Sequence, residues 1–447
     1  MDLIRFLAQR LFLPLSRRRE GFDSSSIVRQ LEKSQYLSLE EIRGRQFQRL
    51  KTLLENAYDH VPYYRALFDE RCIVPDDISS FDDFEKLPPL TKSDVRDNQE
   101  QLLSSKDDRS TLIPKKTGGS TGVPLHLYWS RDATAFKQAA TQRHDAWSGY
   151  APGEKLAQLW GADAGHDTLR ARLYNYLVTR RLLLDTLEMS EKNSLAFVEK
   201  IRRYRPPYLL GHAHSVYVLA LFLEEHGIVD LGISSVICTA EVLTDGERHK
   251  IEQVFSAEVF NRYGCEELSV VASECEQHEG LHINSEGLYV EVIGGDEEKP
   301  GELVITDLVN DAMPFIRYQI EDTATIYTTP CACGRGLPRL KKLYGRSSDF
   351  LYTPDGRMLS GISIMDHFAI DIPGVWQVQL VQDALDHLFV KIVRTGQFGE
   401  PSLAKLAQTV PAFFGKAMRY DVEYVKELPM TARGKYQFAV SKIDKPN

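Results

Sequence analysis

Two groups of residues in this chain have the types and spacing that chemistry needs. One is the run Thr117-Gly118-Gly119-Ser120-Thr121-Gly122-Val123-Pro124. Its glycines let the backbone turn sharply and bring N–H groups up to an anion, and the hydroxyls of Thr117, Ser120 and Thr121 add donors. No Lys follows the last glycine, so the run is not a Walker A loop, and such a cluster also serves as a plain flexible turn. The other group is Cys275, His278 and His282 with the later pair Cys331 and Cys333. Three thiolates and one imidazole make a tetrahedral set suited to Zn²⁺, with Cys275, His282, Cys331 and Cys333 as the ligands and His278 as the substitute for His282. A filled set leaves no open position, so the ion would be structural. The plainer alternative is a group of free thiols beside unrelated histidines.

The elements that must position these residues alternate. Ser38 with Glu41 forms a capping box, and Phe47, Leu50, Leu54 and Ala57 continue at helical spacing, which predicts helix from Ser38 to Phe68. Pro88 and Pro89 break the chain, and a second helical pattern, Lys192 to Tyr204, stops before Pro206-Pro207. Short β-rich runs lie between, at Ser234–Thr239, Leu288–Ile293 and Leu303–Thr306, giving mixed α/β layering. The last hundred residues read β-β-α-β: strands Val375–Val381 and Leu388–Val393, helix Ser402–Lys416, strand Tyr420–Val425. The predicted architecture is therefore α/β, with a large multi-layer N-terminal domain of mixed sheets over 1–347 and a small α+β C-terminal domain over 348–447.

Composition bounds the class. The chain has 447 residues, about three times the usual domain size, is 43% hydrophobic, and carries 54 Lys+Arg against 63 Asp+Glu for a formal charge of −9. That excludes disorder and a disulfide-stapled scaffold, and it argues against broad nucleic-acid binding. Six cysteines are too sparse for a disulfide framework, so a reducing, cytoplasmic setting is expected. No apolar run is long enough to span a bilayer. The N-terminus places Leu3, Phe6, Leu7 and Leu11 at helical spacing and ends in Arg17, Arg18 and Arg19. It reads either as a helix docked on the body of the protein or as a basic amphipathic helix touching an anionic membrane surface.

Further strings follow the glycine-rich run in order: Arg262-Tyr263-Gly264-Cys265-Glu266-Glu267, Gly301-Glu302-Leu303-Val304-Ile305-Thr306, Arg317-Tyr318-Gln319-Ile320-Glu321-Asp322, Gly345-Arg346-Ser347-Ser348-Asp349 and Pro429-Met430-Thr431-Ala432-Arg433-Gly434-Lys435. The series, from about Leu37 to Lys442, resembles the adenylate-forming superfamily of acyl-CoA synthetases and adenylation domains. Met313-Pro314-Phe315-Ile316-Arg317-Tyr318 and Cys331-Ala332-Cys333-Gly334-Arg335 are similar to the phenylacetate–CoA ligase branch and its CapK-like relatives. The resemblance implies that a carboxylate oxygen attacks the α-phosphorus of ATP, expelling pyrophosphate and leaving an acyl-adenylate, whose acyl group passes to coenzyme A or to an amine or hydroxyl acceptor. Two anions must meet, so positive charge and oriented donors are required.

By the same resemblance, the loop Thr117–Gly122 holds the β- and γ-phosphates and Glu267 helps hold Mg²⁺. Tyr263 lies against adenine, and Asp322 accepts from the ribose hydroxyls. Glu241, Arg262, Gly264 and Arg346 complete the nucleotide site. Lys435 bridges the substrate carboxylate and the α-phosphate, then leaves when the small domain turns about Ser348–Asp349. A small-molecule carboxylic acid is the other substrate, and a homodimer is a compatible assembly. Relatives with these cysteines are similar in carrying zinc. Three positions depart from the pattern: Glu266 stands where Thr or Ser is common, Glu321 replaces the Gly before Asp322, and Ser348 replaces an acidic hinge residue. His212, His214, Trp160 and Tyr208 are candidates for the acid pocket or are ordinary core residues. Competing readings are a zinc hydrolase built on the Cys/His set and a nucleotide-binding scaffold without turnover.

Overall fold

The computed structural model describes residues 2–20, 24–116, 125–161, 168–186, 188–346, 350–355, 358–369, 371–429 and 436–443. Its packing groups the chain into two compact units. The first comprises Met1–Glu154, Asp167–Arg180 and Phe260–Lys342, and the second Lys155–His166, Arg181–Val259 and Leu343–Asn447.

In the first unit, helix Leu39–His60 starts at the expected capping box: Ser38 Oγ accepts from the Glu41 amide at 3.2 Å and Glu41 Oε2 accepts from the Ser38 amide at 2.9 Å. The single helix expected through Phe68 is two, because Pro62 has no N–H to continue the ladder and instead opens helix Pro62–Glu70. Leu50, Leu54 and Ala57 are buried along one face. Pro88 and Pro89 do break the chain, and they deliver Leu90 as a bridge to Tyr318, its amide donating to the Arg317 carbonyl at 2.9 Å. The sheet strands here are antiparallel: Leu288–Ile293 pairs with Gly301–Asp307, which pairs with Tyr318–Ile326. Leu281–Ile283 lies between Arg339–Arg346 and Ser269–Ser273, and the latter pairs with Glu258–Cys265. Helix Arg131–Ala146 packs on Ser269–Ser273.

The second unit holds a parallel sheet in the order Ser235–Thr239, Tyr208–His212, Leu156–Trp160, Arg181–Asp185. Parallel strands need crossovers, and helices Glu191–Tyr204 and Ala213–Glu225 supply them. Val198, Ile201, Val216, Leu219 and Leu223 pack with Leu159, Leu209 and Val236 into one core. The end of the first helix before Pro206 agrees with the sequence reading. The C-terminal segment forms a four-stranded sheet. Val375–Ala384 and His387–Arg394 are antiparallel, helix Glu400–Phe414 follows, and Arg419–Tyr424 returns parallel to His387–Arg394. A further strand, Ala439–Ser441, pairs parallel with Val375–Ala384; three residues long, it left no pattern to read.

The N-terminus forms helix Leu3–Leu7, a π-helical turn Ala8–Phe12 and helix Leu13–Glu20. It docks through polar groups: Arg5 pairs with Glu154 at 2.6 Å, Gln9 donates to the Pro152 carbonyl at 3.2 Å, and Asp2 pairs with Arg180. The leucine stripe is not the docking face, since Leu3, Phe6 and Leu11 are exposed.

Candidate functional site

In the first unit, the strand pair carrying Tyr263 is pressed unusually close. A Cβ on Gly264 would lie 2.6 Å from the Ser269 carbonyl oxygen, so only glycine fits. The register shifts between Tyr263 and Gly264, a bulge that re-aims the side chains around it. Tyr263 Oη donates to Asp322 Oδ2 at 2.5 Å. Burial, then the Asp322 charge, holds the Tyr263 phenol well above its ordinary pKa, so it remains a donor. Asp322 stands in Tyr318–Ile326 where the register against Gly301–Asp307 also shifts. The preceding Glu321 has φ +70°, the left-handed region that favours glycine, and pairs with Lys92. The bulge backbone at Glu321 is therefore in a conformation that glycine adopts most readily.

Glu267 lies beside this pair. Tyr318 Oη donates to Glu267 Oε1 at 3.5 Å, and burial followed by the Glu267 charge pushes the Tyr318 phenol up. The turn after Glu267 is fixed from below. Lys137 is buried, its Nζ donating to the Leu268 carbonyl at 3.1 Å and pairing with buried Asp307 at 2.7 Å. Sequence reasoning missed Lys137, which sits inside helix Arg131–Ala146 without any local motif. Its one signal was a lysine among the small residues of the helix's apolar face. Glu266 is exposed. Arg262 is held by Asp145 at 2.6 Å, and Arg317 by Glu291 at 2.7 Å.

The second unit holds Glu241. Its two oxygens accept from the backbone amides of His214, at 3.0 Å, and Tyr436, at 2.7 Å, the latter one residue on from Lys435. Burial raises the Glu241 pKa, opposed by His214 and these two N–H bonds. His214 is occupied on every side: Nδ1 lies 2.9 Å from Glu247, Nε2 lies 3.2 Å from Gln377, and the ring stacks on Tyr436 at 3.7 Å. That fits a satisfied core histidine better than a pocket group. His212 is buried against Trp160, ring centroids 4.5 Å apart. Thr117, Gly118, Gly119, Ser120, Thr121, Gly122 and Lys435 lie outside the described residues, and Arg346 ends strand Arg339–Arg346.

The Cys/His set assembles in the first unit. The ligand atoms of Cys275, His282, Cys331 and Cys333 all lie within 4.8 Å of one another, and His282 rather than His278 completes it. Cys275 and Cys331 sulfurs are 3.8 Å apart, and Cys333 Sγ is 3.3 Å from His282 Nε2. Metal–sulfur bonds of about 2.3 Å in a tetrahedron put sulfurs ~3.8 Å apart, so the donors fit Zn²⁺. His282 Nδ1 faces the Leu337 carbonyl at 3.0 Å, which turns Nε2 toward the thiols. Burial, against that carbonyl and with Arg339, Arg335 and Arg143 nearby, draws the His282 pKa down to about 4, keeping a neutral ligand. Burial pushes the Cys275 thiol up to about 12. Cys333 is drawn down, the amide and side chain of Arg335 outweighing its burial. His278 instead faces Glu274 at 3.4 Å and Phe260.

The cysteine loop is stitched to the N-terminal helices. A Cβ on Gly336 would meet the Leu37 carbonyl at 1.9 Å, and the Gly336 amide donates to the Gln35 carbonyl at 2.9 Å. Ile42, Trp147 and Leu337 pack around Cys275 and Cys331.

Comparison with known proteins places the fold and the C-terminal segment. Residues 351–442 match the family described as CapK C-terminal domain. Protein CapK of Staphylococcus aureus is 24% identical over 367 residues, 80% of each chain. Phenylacetate-coenzyme A ligase of Pseudomonas putida is 29% identical over 333 residues, covering 72% of this chain and 74% of that protein. The crystal structure of 2-hydroxyisobutyryl-CoA ligase in complex with R3-HIB-AMP superposes with a TM-score of 0.72 at 20% identity, over 90% of this chain and 89% of that one.

Proposed function

We propose that this chain, which has the fold of adenylate-forming ligases and carries a CapK C-terminal domain, is an ATP-dependent, AMP-forming acid ligase that passes its acyl group to coenzyme A. The observation that carries the reading is the Tyr263–Asp322 pair with Glu267 beside it in the first unit. A carboxylate that already accepts one hydroxyl can accept the ribose diol, and an aromatic face next to it suits adenine. Glu267 offers a hard oxygen for Mg²⁺, the ion that would neutralise the phosphates. Lys435 supplies the mobile charge that lets a carboxylate approach the α-phosphorus, and it serves the first half-reaction only.

The Cys/His set would hold a structural zinc: its donors leave no open coordination position, which disfavours a hydrolytic role. An amine or hydroxyl acceptor is the alternative to coenzyme A.

Acid-dependent exchange of pyrophosphate into ATP across a panel of carboxylic acids tests the activity. Exchange with at least one acid is expected, and none with any acid would overturn the reading. Lys435→Ala is expected to abolish exchange while sparing acyl transfer from a preformed acyl-adenylate; equal loss of both would remove the assigned role.

A further inference from the structure

A second helical segment packs antiparallel along the N-terminal one within the first unit. Asp2 pairs with Arg180, the turn Ala8–Phe12 touches Asn175–Thr179, and Ser16 Oγ lies 3.0 Å from Tyr174 Oη. The partner consists of helix Leu169–Tyr174 and π-turn Asn175–Thr179. Both present apolar side chains to solvent. On the first segment these are Leu3 (67% exposed), Phe6, Leu11 and Leu15; on the second, Leu169 (84% exposed), Leu173 and Tyr176.

The stripe on the first segment depends on the π-turn. In an unbroken α-helix, Leu11 and Leu15 would be rotated about 80° and 120° from Leu3. The turn Ala8–Phe12 inserts about one residue and returns both to within about 20° of it. On the second segment, Leu169 and Leu173 are four residues apart and share a face by ordinary spacing.

The charge of the patch opposes that of the chain. Arg5, Arg10, Arg170 and Arg172 are exposed on these segments, and Asp2 is the one exposed acid among their described side chains. The whole chain carries −9. No helix among the described residues is long and apolar enough to cross a membrane. An exposed apolar stripe flanked by arginines on an otherwise acidic protein matches an anionic bilayer surface and orients the molecule on it.

We propose that the paired helices 2–20 and 169–179 form a monotopic docking surface for anionic lipid. The N-terminal half was legible as an amphipathic helix; the second helix, remote in sequence, is what makes it a surface. The proposal is independent of the nucleotide chemistry.

Co-sedimentation of the full chain with vesicles tests it. Vesicles of phosphatidylcholine with about 30 mol% phosphatidylglycerol are expected to bind at least tenfold more tightly than phosphatidylcholine alone. Arg170→Glu with Arg172→Glu is expected to weaken that binding at least tenfold. Leu169→Asp with Leu173→Asp, and separately Phe6→Asp with Leu11→Asp, are expected to abolish it, with thermal midpoint and pyrophosphate exchange unchanged. Equal binding to both vesicles, or binding indifferent to these variants, would overturn the proposal. So would a lipid-free dimer, seen by sedimentation velocity and dissociated by Leu169→Asp/Leu173→Asp, with no vesicle binding: the patch would then belong to a second copy.

Discussion

Two regions of the first unit are both built from bulged or tightly turned strands, yet they end in opposite kinds of polar site. Around Cys275, His282, Cys331 and Cys333, four donors face one another inside a shell of Ile42, Trp147 and Leu337. Around Tyr263, Asp322 and Glu267, the carboxylates face phenols. Phenol hydroxyls are neutral donors, and a nucleotide's ribose hydroxyls can take over that role at little cost. The cysteine set has nothing to exchange: its donors satisfy one another or one ion. The difference teaches how to tell a binding site from a brace. A binding site keeps its charges provisionally satisfied by groups a ligand can replace, whereas a brace closes on itself.

The contrast can be broken most severely at Glu267. Glu267→Gln is expected to cut acid-dependent pyrophosphate exchange by about 10²–10³-fold, the usual scale for losing a group that holds transition-state charge, with the thermal midpoint unchanged. At the brace the pattern inverts. Cys331→Ser, or chelation of the purified protein with stoichiometric metal analysis, is expected to lower the midpoint by at least about 5–10 °C, with exchange intact below the transition. Loss of exchange from the still-folded, metal-stripped protein would erase the distinction.

Smaller changes sharpen it. Tyr263→Phe keeps the aromatic face and removes only the hydroxyl donor, so KM for ATP should move about two- to tenfold, read from exchange at saturating acid. The least conspicuous test is chemical. Burial, then the Glu267 charge, pushes the Cys265 thiol well above its ordinary pKa. Its thiolate fraction therefore stays negligible where an ordinary thiol's rises. Iodoacetamide labelling of Cys265, followed by peptide mass spectrometry, should remain a small fraction of that at the exposed Cys72 throughout pH 7 to 9. Labelling of Cys265 as extensive as that of Cys72 would mean that the site is wetter and less charged than described.

Much of this was legible in the sequence because the signals are local. The Ser38–Glu41 box, the Lys192–Tyr204 pattern before its prolines and the β-β-α-β rhythm near the end each rest on neighbours a few residues apart. The four members of the Cys/His cluster, His282 ahead of His278 among them, were legible because thiols and imidazoles are rare enough to be counted; the Leu337 carbonyl that orients His282 was not. What could not be read depends on distant partners. Lys137 matters because of Leu268 and Asp307, Glu241 meets the amide of Tyr436, and the second half of the helical patch lies more than a hundred residues from the first. Pro62 cut one expected helix in two because a proline opens a helix as readily as it ends one. Glu321 stands where the pattern has a glycine, yet its own backbone is left-handed and its carboxylate pairs with Lys92, a partner more than two hundred residues away in sequence.

The central claim is that Asp322 receives the ribose of a bound nucleotide, and calorimetry with paired ligands tests it most directly. ATP and 2′,3′-dideoxy-ATP are titrated, with Mg²⁺ present, into the native protein and into Asp322→Ala. The account predicts that Asp322→Ala weakens ATP by about 10–100-fold but leaves dideoxy-ATP unchanged, because the hydroxyls that the carboxylate would hold are already gone. An equal loss for both nucleotides, or no loss for either, would contradict it.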